Sequence, residues 1–320
     1  MISNYMIFLL FVILAIIIVI NKNNFYVRHS MNLVKQLNVL NIDYLDSFDI
    51  KTTDNEQINI QYHIPKSFSK VILFIPGFNA DIKSEPIHTL CYQLKDKYAV
   101  YFKNWRGYNN NIKKTPEHIF TNQGLSDLHL TIANIKQRHR EDIILIGHSL
   151  GGNISIKYNS IYNDPRIIKM VAICSPINLY KSYTKFKDSI LYKKFSKEYI
   201  NNIRKSSKNE ELIEITNTHS GHDAMSKIVT DALVIDNYET WFKTGTINNE
   251  ILRELDKPLL WVISKNDKIS YYDGIEDDLY MDSPFFNKLV YNYGEHGNYV
   301  NSFFEDQYSL SSKLDLFINN

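Results

Sequence analysis

The pentapeptide Gly147-His148-Ser149-Leu150-Gly151 sets one hydroxyl among small residues, directly after the apolar run Ile143-Ile144-Leu145-Ile146 and directly before a helix-like segment. A sharp strand-to-helix turn drives its central residue into an unfavourable backbone region, and its flanks must be small for neighbouring elements to close around it. The chemistry this serves is nucleophilic. The turn lifts the Ser149 hydroxyl off the end of a sheet and leaves it at a helix amino terminus, where backbone N–H groups favour developing negative charge. A serine hydroxyl alone is a poor nucleophile, so a general base has to stand beside it. A plain Gly-rich β–α turn would explain the glycines but not the coincidence of pentapeptide, preceding strand and following helix.

Positioning that serine requires a sheet, and the chain supplies one. Ile42 to Thr52 and Ile58 to Ile64 alternate in the manner of an antiparallel hairpin, and Val71 to Ile75 is a continuous apolar run stopped by Pro76-Gly77. A helix over about Glu85 to Lys97 leads to a strand at Ala99 to Trp105. Gly124 to Arg140 has helical spacing, Ile143 to Ile146 is a strand, Gly151 to Tyr162 a helix and Ile168 to Cys174 a strand. Such alternation predicts a mostly parallel sheet with helices on both faces, the α/β class. From about Lys181 to Asp256 the regularity breaks into short amphipathic pieces, too long for a loop, which predicts an inserted helical cap. Strands resume at Pro258 to Ile263 and Lys288 to Tyr291, and Val300 to Phe317 reads as a closing helix.

On these features the chain resembles the α/β-hydrolase superfamily over about residues 40 to 320. The resemblance implies an α/β-hydrolase fold and a Ser-acid-His triad, with the acid and then the histidine following the nucleophile in the chain. Ten histidines are present, yet only His296, in Tyr293-Gly294-Glu295-His296-Gly297, lies after Asp223. Asp267, in Ser264-Lys265-Asn266-Asp267 at the end of a strand, is the expected acid, with Asp273, Asp277 and Asp278 as fallbacks. In the implied mechanism His296 takes the Ser149 proton and Asp267 holds the imidazole's tautomer. The implied oxyanion donors are the N–H of Leu150 and that of Phe78, or of Asn79, in Pro76-Gly77-Phe78-Asn79, where proline stands in place of the usual histidine.

A finer likeness runs through Asn104-Trp105-Arg106-Gly107-Tyr108, Thr115-Pro116, Gly124, Asp127-Leu128, Gly151-Gly152-Asn153, Lys157-Tyr158 and Ser175-Pro176-Ile177-Asn178-Leu179. These are similar to the YheT-type and membrane-anchored hydrolases, which implies medium- or long-chain acyl esters and lipids as substrates. The chain then divides into a signal anchor (1–21), a linker (22–40), a hydrolase core (41–180 and 257–320) and the cap (181–256). The expected activity is that of a carboxylesterase or lipase-like serine hydrolase without metal or organic cofactor. An acyl-protein thioesterase and a non-catalytic scaffold of the same fold are the alternatives.

Tyr5 to Ile20 is uninterrupted apolar sequence, long enough with its flanks to span a hydrocarbon core of roughly 30 Å. No basic residues precede it and no small-x-small cleavage site follows, which favours a retained anchor over a cleaved signal peptide. Lys22, Arg28 and Lys35 follow the run, so the positive-inside rule puts the catalytic domain in the cytosol. The formal net charge of +1 argues against nucleic acid as a partner. Cys91 and Cys174 both sit in apolar stretches, as buried thiols do. His219, His222 and Asp223 lack a further ligand at metal-site spacing, and the Lys-rich stretch Lys181 to Lys197 reads as a solvated helix face.

Overall fold

The computed structural model describes residues 42–53, 55–78, 80–84, 86–105, 122–206, 210–233, 237–272, 283–296, 299–300 and 309–320. The expected anchor and linker, Arg106 to Pro116, Asn79 and the fallback acids Asp273, Asp277 and Asp278 lie outside these residues. Among those described, no helix is long and apolar enough to cross a membrane.

Eight strands form one sheet: β1 (Asp46–Lys51), β2 (Gln57–His63), β3 (Lys70–Ile75), β4 (Ala99–Lys103), β5 (Asp142–His148), β6 (Ile167–Ile173), β7 (Leu259–Ser264) and β8 (Phe286–Tyr291). Their order is β1-β2-β4-β3-β5-β6-β7-β8. The opening hairpin is antiparallel, β2 also runs antiparallel to β4, and every pair from β4 to β8 is parallel. The unbroken apolar strands follow from burial on both sides. Val71, Leu73 and Ile75 pack into one core and Ile72 and Phe74 into the other, because successive side chains point to opposite faces. Each such fully buried side chain contributes about 1.5–3 kcal/mol.

Helices α1 (Ile87–Leu94), α2 (Asn122–Arg138) and α3 (Leu150–Tyr162) alternate with the strands. After β6 the chain leaves the sheet through α4 (Leu179–Phe186), α5 (Ile190–Ser206), α6 (Glu210–Thr218), α7 (Gly221–Leu233), α8 (Tyr238–Gly245) and α9 (Asn249–Arg253), and then re-enters it as β7. These helices build a third core around Tyr183, Phe186, Tyr192, Ile228, Tyr238 and Trp241. In the Lys-rich stretch, Tyr183, Phe186 and Tyr192 point into that core while Ile190 and Leu191 stay exposed.

The closing helix does not begin at Val300 as expected. It is α10 (Ser309–Asn319), whereas Tyr299–Val300 forms β10, paired antiparallel with β9 (Tyr293–Gly294). The backbone of Val300 is therefore committed to a β bridge and cannot open a helix.

Candidate active site

Ser149 occupies the corner between β5 and α3 with φ 51° and ψ −120°, a conformation rare for a residue with a Cβ. Close approach makes the flanking glycines obligatory. A Cβ on Gly151 would stand 2.1 Å from the Ile75 carbonyl oxygen, and one on Gly147 would stand 2.3 Å from the Gly151 carbonyl carbon. The Ser149 N–H donates to Ile173 O at 2.7 Å, and its carbonyl accepts the Ser175 hydroxyl at 2.6 Å. Leu150 is the first residue of α3, so its N–H has no carbonyl within the helix to serve. The Pro76-Gly77-Phe78 segment crosses directly over the serine, for a Cβ on Gly77 would lie 2.9 Å from Ser149 Cβ. Phe78 continues from that crossing into the cap, its ring 5.3 Å from that of Phe195 and 4.9 Å from that of Tyr199.

Asp267 follows β7, and its N–H donates to Ser264 O at 3.1 Å. Its Oδ1 accepts the N–H groups of Ile269 (2.8 Å) and Ser270 (2.9 Å). His296 follows β9 and brings Nδ1 to 3.0 Å from Asp267 Oδ2 and 3.2 Å from Oδ1. Burial pushes the Asp267 carboxyl up, but the adjacent His296 and the N–H groups of Ser270 and Ile269 outweigh it and hold the group below the usual carboxylate range. An ionised carboxylate only accepts, so Nδ1 must be the protonated nitrogen and Nε2 keeps its lone pair. The structure thus brings Asp267 and His296 together. Ser149 and His296 line one cavity of about 260 Å³, into which Phe78 and Leu150 also face.

A second imidazole was not assigned a role from sequence. His148 lines the same cavity beside Ser149, with its ring centroid 5.2 Å from that of His296. Burial, followed by the neighbouring His296, lowers its pKa to about 3, so it stays neutral and His296 alone is paired to a carboxylate. The unfolded chain takes up this proton near 6.5 and the folded chain only near 3, so stability is intact above pH 6.5 and falls below it, by about 1.4 kcal/mol per pH unit. In urea unfolding at pH 7 and pH 4.5, His148→Gln is expected to flatten this acid slope; an unchanged slope would show that His148 does not carry it.

Residues farther out hold the turn in place. Trp105 Nε1 donates to Gly77 O at 2.9 Å, fixing the crossing segment, and Asn104 Nδ2 ties β4 to Asn59 Oδ1 at 2.9 Å. Asn153 Nδ2 donates to Pro176 O at 3.1 Å, and Trp261 Nε1 to Ser175 O at 3.0 Å. Gly152 is small for the same reason as Gly151: its Cβ would meet Ser175 Oγ at 1.9 Å. His219 Nδ1 bonds the Thr218 hydroxyl at 2.8 Å and His222 Nδ1 the Tyr192 hydroxyl at 2.9 Å.

The cap closes the cavity with Leu179, Phe186, Phe195, Met225, Trp241 and Phe242. Tyr183, Tyr192 and Tyr238 also line it, and the same three residues line an outer cavity of about 670 Å³ that carries Lys187, Asp188, Lys193 and Glu239.

Comparison with known proteins bears on the family and the fold. A Mycoplasma pneumoniae protein named as a candidate esterase/lipase is 29% identical over 152 residues, 44% of this chain and 52% of that protein. The chain thus aligns with about half the length of that relative. A similarly named Mycoplasma genitalium protein is 24% identical over 223 residues, 68% of this chain and 77% of that one. Among solved structures, an esterase of Pyrococcus furiosus superposes with TM-score 0.59 at 18% identity, over 86% of this chain and 90% of its own. A protein of Acinetobacter baumannii described as a candidate lipase gives 0.59 at 16% identity, over 91% and 95%. At such identities the structural likeness speaks for the fold alone. Residues 66–295 match the family described as "Serine aminopeptidase, S33", and by that match over most of its length the chain belongs to this family of α/β-hydrolases.

Proposed function

We propose that the protein hydrolyses carboxylic esters of apolar acyl groups, lipid esters among them, through an acyl-enzyme on Ser149. The observation that carries this reading is that Ser149 and His296 open onto one cavity whose remaining walls are overwhelmingly apolar. Ser149 Oγ attacks the acyl carbonyl while its proton passes to His296 Nε2, and the oxyanion is met by the N–H groups of Leu150 and Phe78. Collapse breaks the ester bond, and His296 returns the proton to the departing alkoxide. Water then repeats the sequence on the acyl-enzyme and releases the acid. Asp267 keeps the imidazole in the receptive tautomer and stabilises the imidazolium.

The cap sets the acyl preference. Each methylene moved into its apolar wall contributes about 0.8 kcal/mol, so two already exceed tenfold in kcat/KM if the contact tightens in the transition state. In a panel of p-nitrophenyl esters, octanoyl is expected to exceed acetyl, with palmitoyl falling off where the tyrosine wall stops the chain. Tyr192→Ala removes part of that wall and is expected to move the optimum toward palmitoyl. A preference for acetyl, or the same profile in Tyr192→Ala, would contradict this assignment. Acyl-thioesters run in parallel test the thioesterase alternative.

A further inference from the structure

Cys174 takes no part in the reaction above, yet it lies against the groups that do. Its Sγ, a carboxylate oxygen of Asp267 and a ring nitrogen of His296 all fall within 4.8 Å of one another. Cys174 directly follows β6, with φ 49°, and its N–H donates to Val262 O at 2.8 Å. Its carbonyl accepts the Ser270 hydroxyl, and the Ser270 N–H in turn holds Asp267 Oδ1. Backbone contacts thus fix the thiol and the carboxylate relative to each other, on the segments after β6 and β7. Thiolate, imidazole and carboxylate together make a donor set suited to Zn²⁺ or Cd²⁺ rather than to Mg²⁺ or Ca²⁺, which take all-oxygen shells. Cys174 and Asp267 are buried, whereas His296 lines the cavity and gives the entry path.

We propose that Cys174, Asp267 and His296 form an inhibitory site for Zn²⁺ that switches the enzyme off by occupying its catalytic pair. Zn–S near 2.3 Å and Zn–N and Zn–O near 2.1 Å set tetrahedral donor–donor edges of about 3.5 Å, so donors within 4.8 Å of one another draw in by up to about 1.2 Å, chiefly on the sulfur side, since Asp267 and His296 are already 3.0 Å apart. The metal takes the Nδ1 lone pair, and the imidazole, staying neutral, carries its proton on Nε2. The Cys174 thiol becomes thiolate, so one proton is released to solvent per ion bound. Protonated Nε2 cannot accept the Ser149 proton, and metal occupancy and turnover exclude each other.

The switch rests on the role given to His296 above, but the site itself is read without turnover. Cd²⁺ titrated into the full-length protein is expected to raise ultraviolet thiolate-to-metal absorbance, saturating at one ion per chain. Cys91 is the one other cysteine in the sequence, so the band must vanish in Cys174→Ala and persist in Cys91→Ala. Zn²⁺ is expected to inhibit ester hydrolysis reversibly with EDTA. Relative to each variant's own metal-free rate, Cys174→Ala and the near-isosteric Cys174→Ser are expected to need about tenfold or more Zn²⁺ for the same inhibition. A band that survives in Cys174→Ala, no band in folded wild type at millimolar Cd²⁺, or equal Zn²⁺ sensitivity in both Cys174 variants would overturn the proposal. If the band follows Cys174 but hydrolysis is absent, the site stands and the ester reading fails.

Discussion

Ser149→Ala and His296→Ala are each expected to lower kcat for an octanoyl ester by about a million-fold, and the double variant to be no slower than either. The two groups act as one unit: without the base the hydroxyl stays protonated, and without the hydroxyl the base has nothing to activate. The proposed oxyanion donors at Leu150 and Phe78 survive both substitutions. Residual catalysis of about a thousandfold over water is therefore expected in all three variants. His148 is not expected to take over in His296→Ala, since burial disfavours the imidazolium it would have to become and neither of its ring nitrogens has a hydrogen-bond partner among the described residues. Single-turnover kinetics measure the effect. Near-normal turnover in His296→Ala would remove it from the mechanism.

Asp267→Asn should be nearly as severe, costing about ten-thousandfold in kcat while leaving the fold in place. An asparagine oxygen can still accept the N–H groups of Ile269 and Ser270, which hold this loop, so the melting midpoint should change little. What changes is the partner of His296 Nδ1. The Asn amide donates where the carboxylate accepted, the ring proton moves to Nε2, and the base points a hydrogen at Ser149. Steady-state kinetics beside a thermal melt separate this from unfolding, and a variant within tenfold of wild type would refute the role given to Asp267.

The strands were legible because the sheet is buried on both faces, so that Val71 to Ile75 and Ile143 to Ile146 alternate between two cores and show no polar face. Ser149 announced itself through glycines whose absent Cβ atoms the fold requires, a constraint visible in sequence since it acts between near neighbours. Asp267 and His296 were nominated by chain order and strand ends, and the structure sets their side chains 3.0 Å apart. Contacts that depend on how distant strands line up were not readable. The approach of Cys174 to Asp267, the Trp105 bond to Gly77 and the tyrosine wall between two cavities join segments 28 to 93 positions apart or assemble several cap helices at once. The start of the closing helix at Val300 was misplaced for the same reason: pairing of Tyr299–Val300 with Tyr293–Gly294 is a tertiary choice that helical periodicity does not register.

The proposed reaction requires a Ser149 hydroxyl activated for attack on an acyl carbonyl. Its most direct test is labelling of the folded wild-type protein with a fluorophosphonate, followed by peptide mapping. One adduct per chain is expected, on Ser149, absent in Ser149→Ala and strongly slowed in His296→Ala. A folded wild-type chain that takes up no label, or takes it up on another residue, would contradict it.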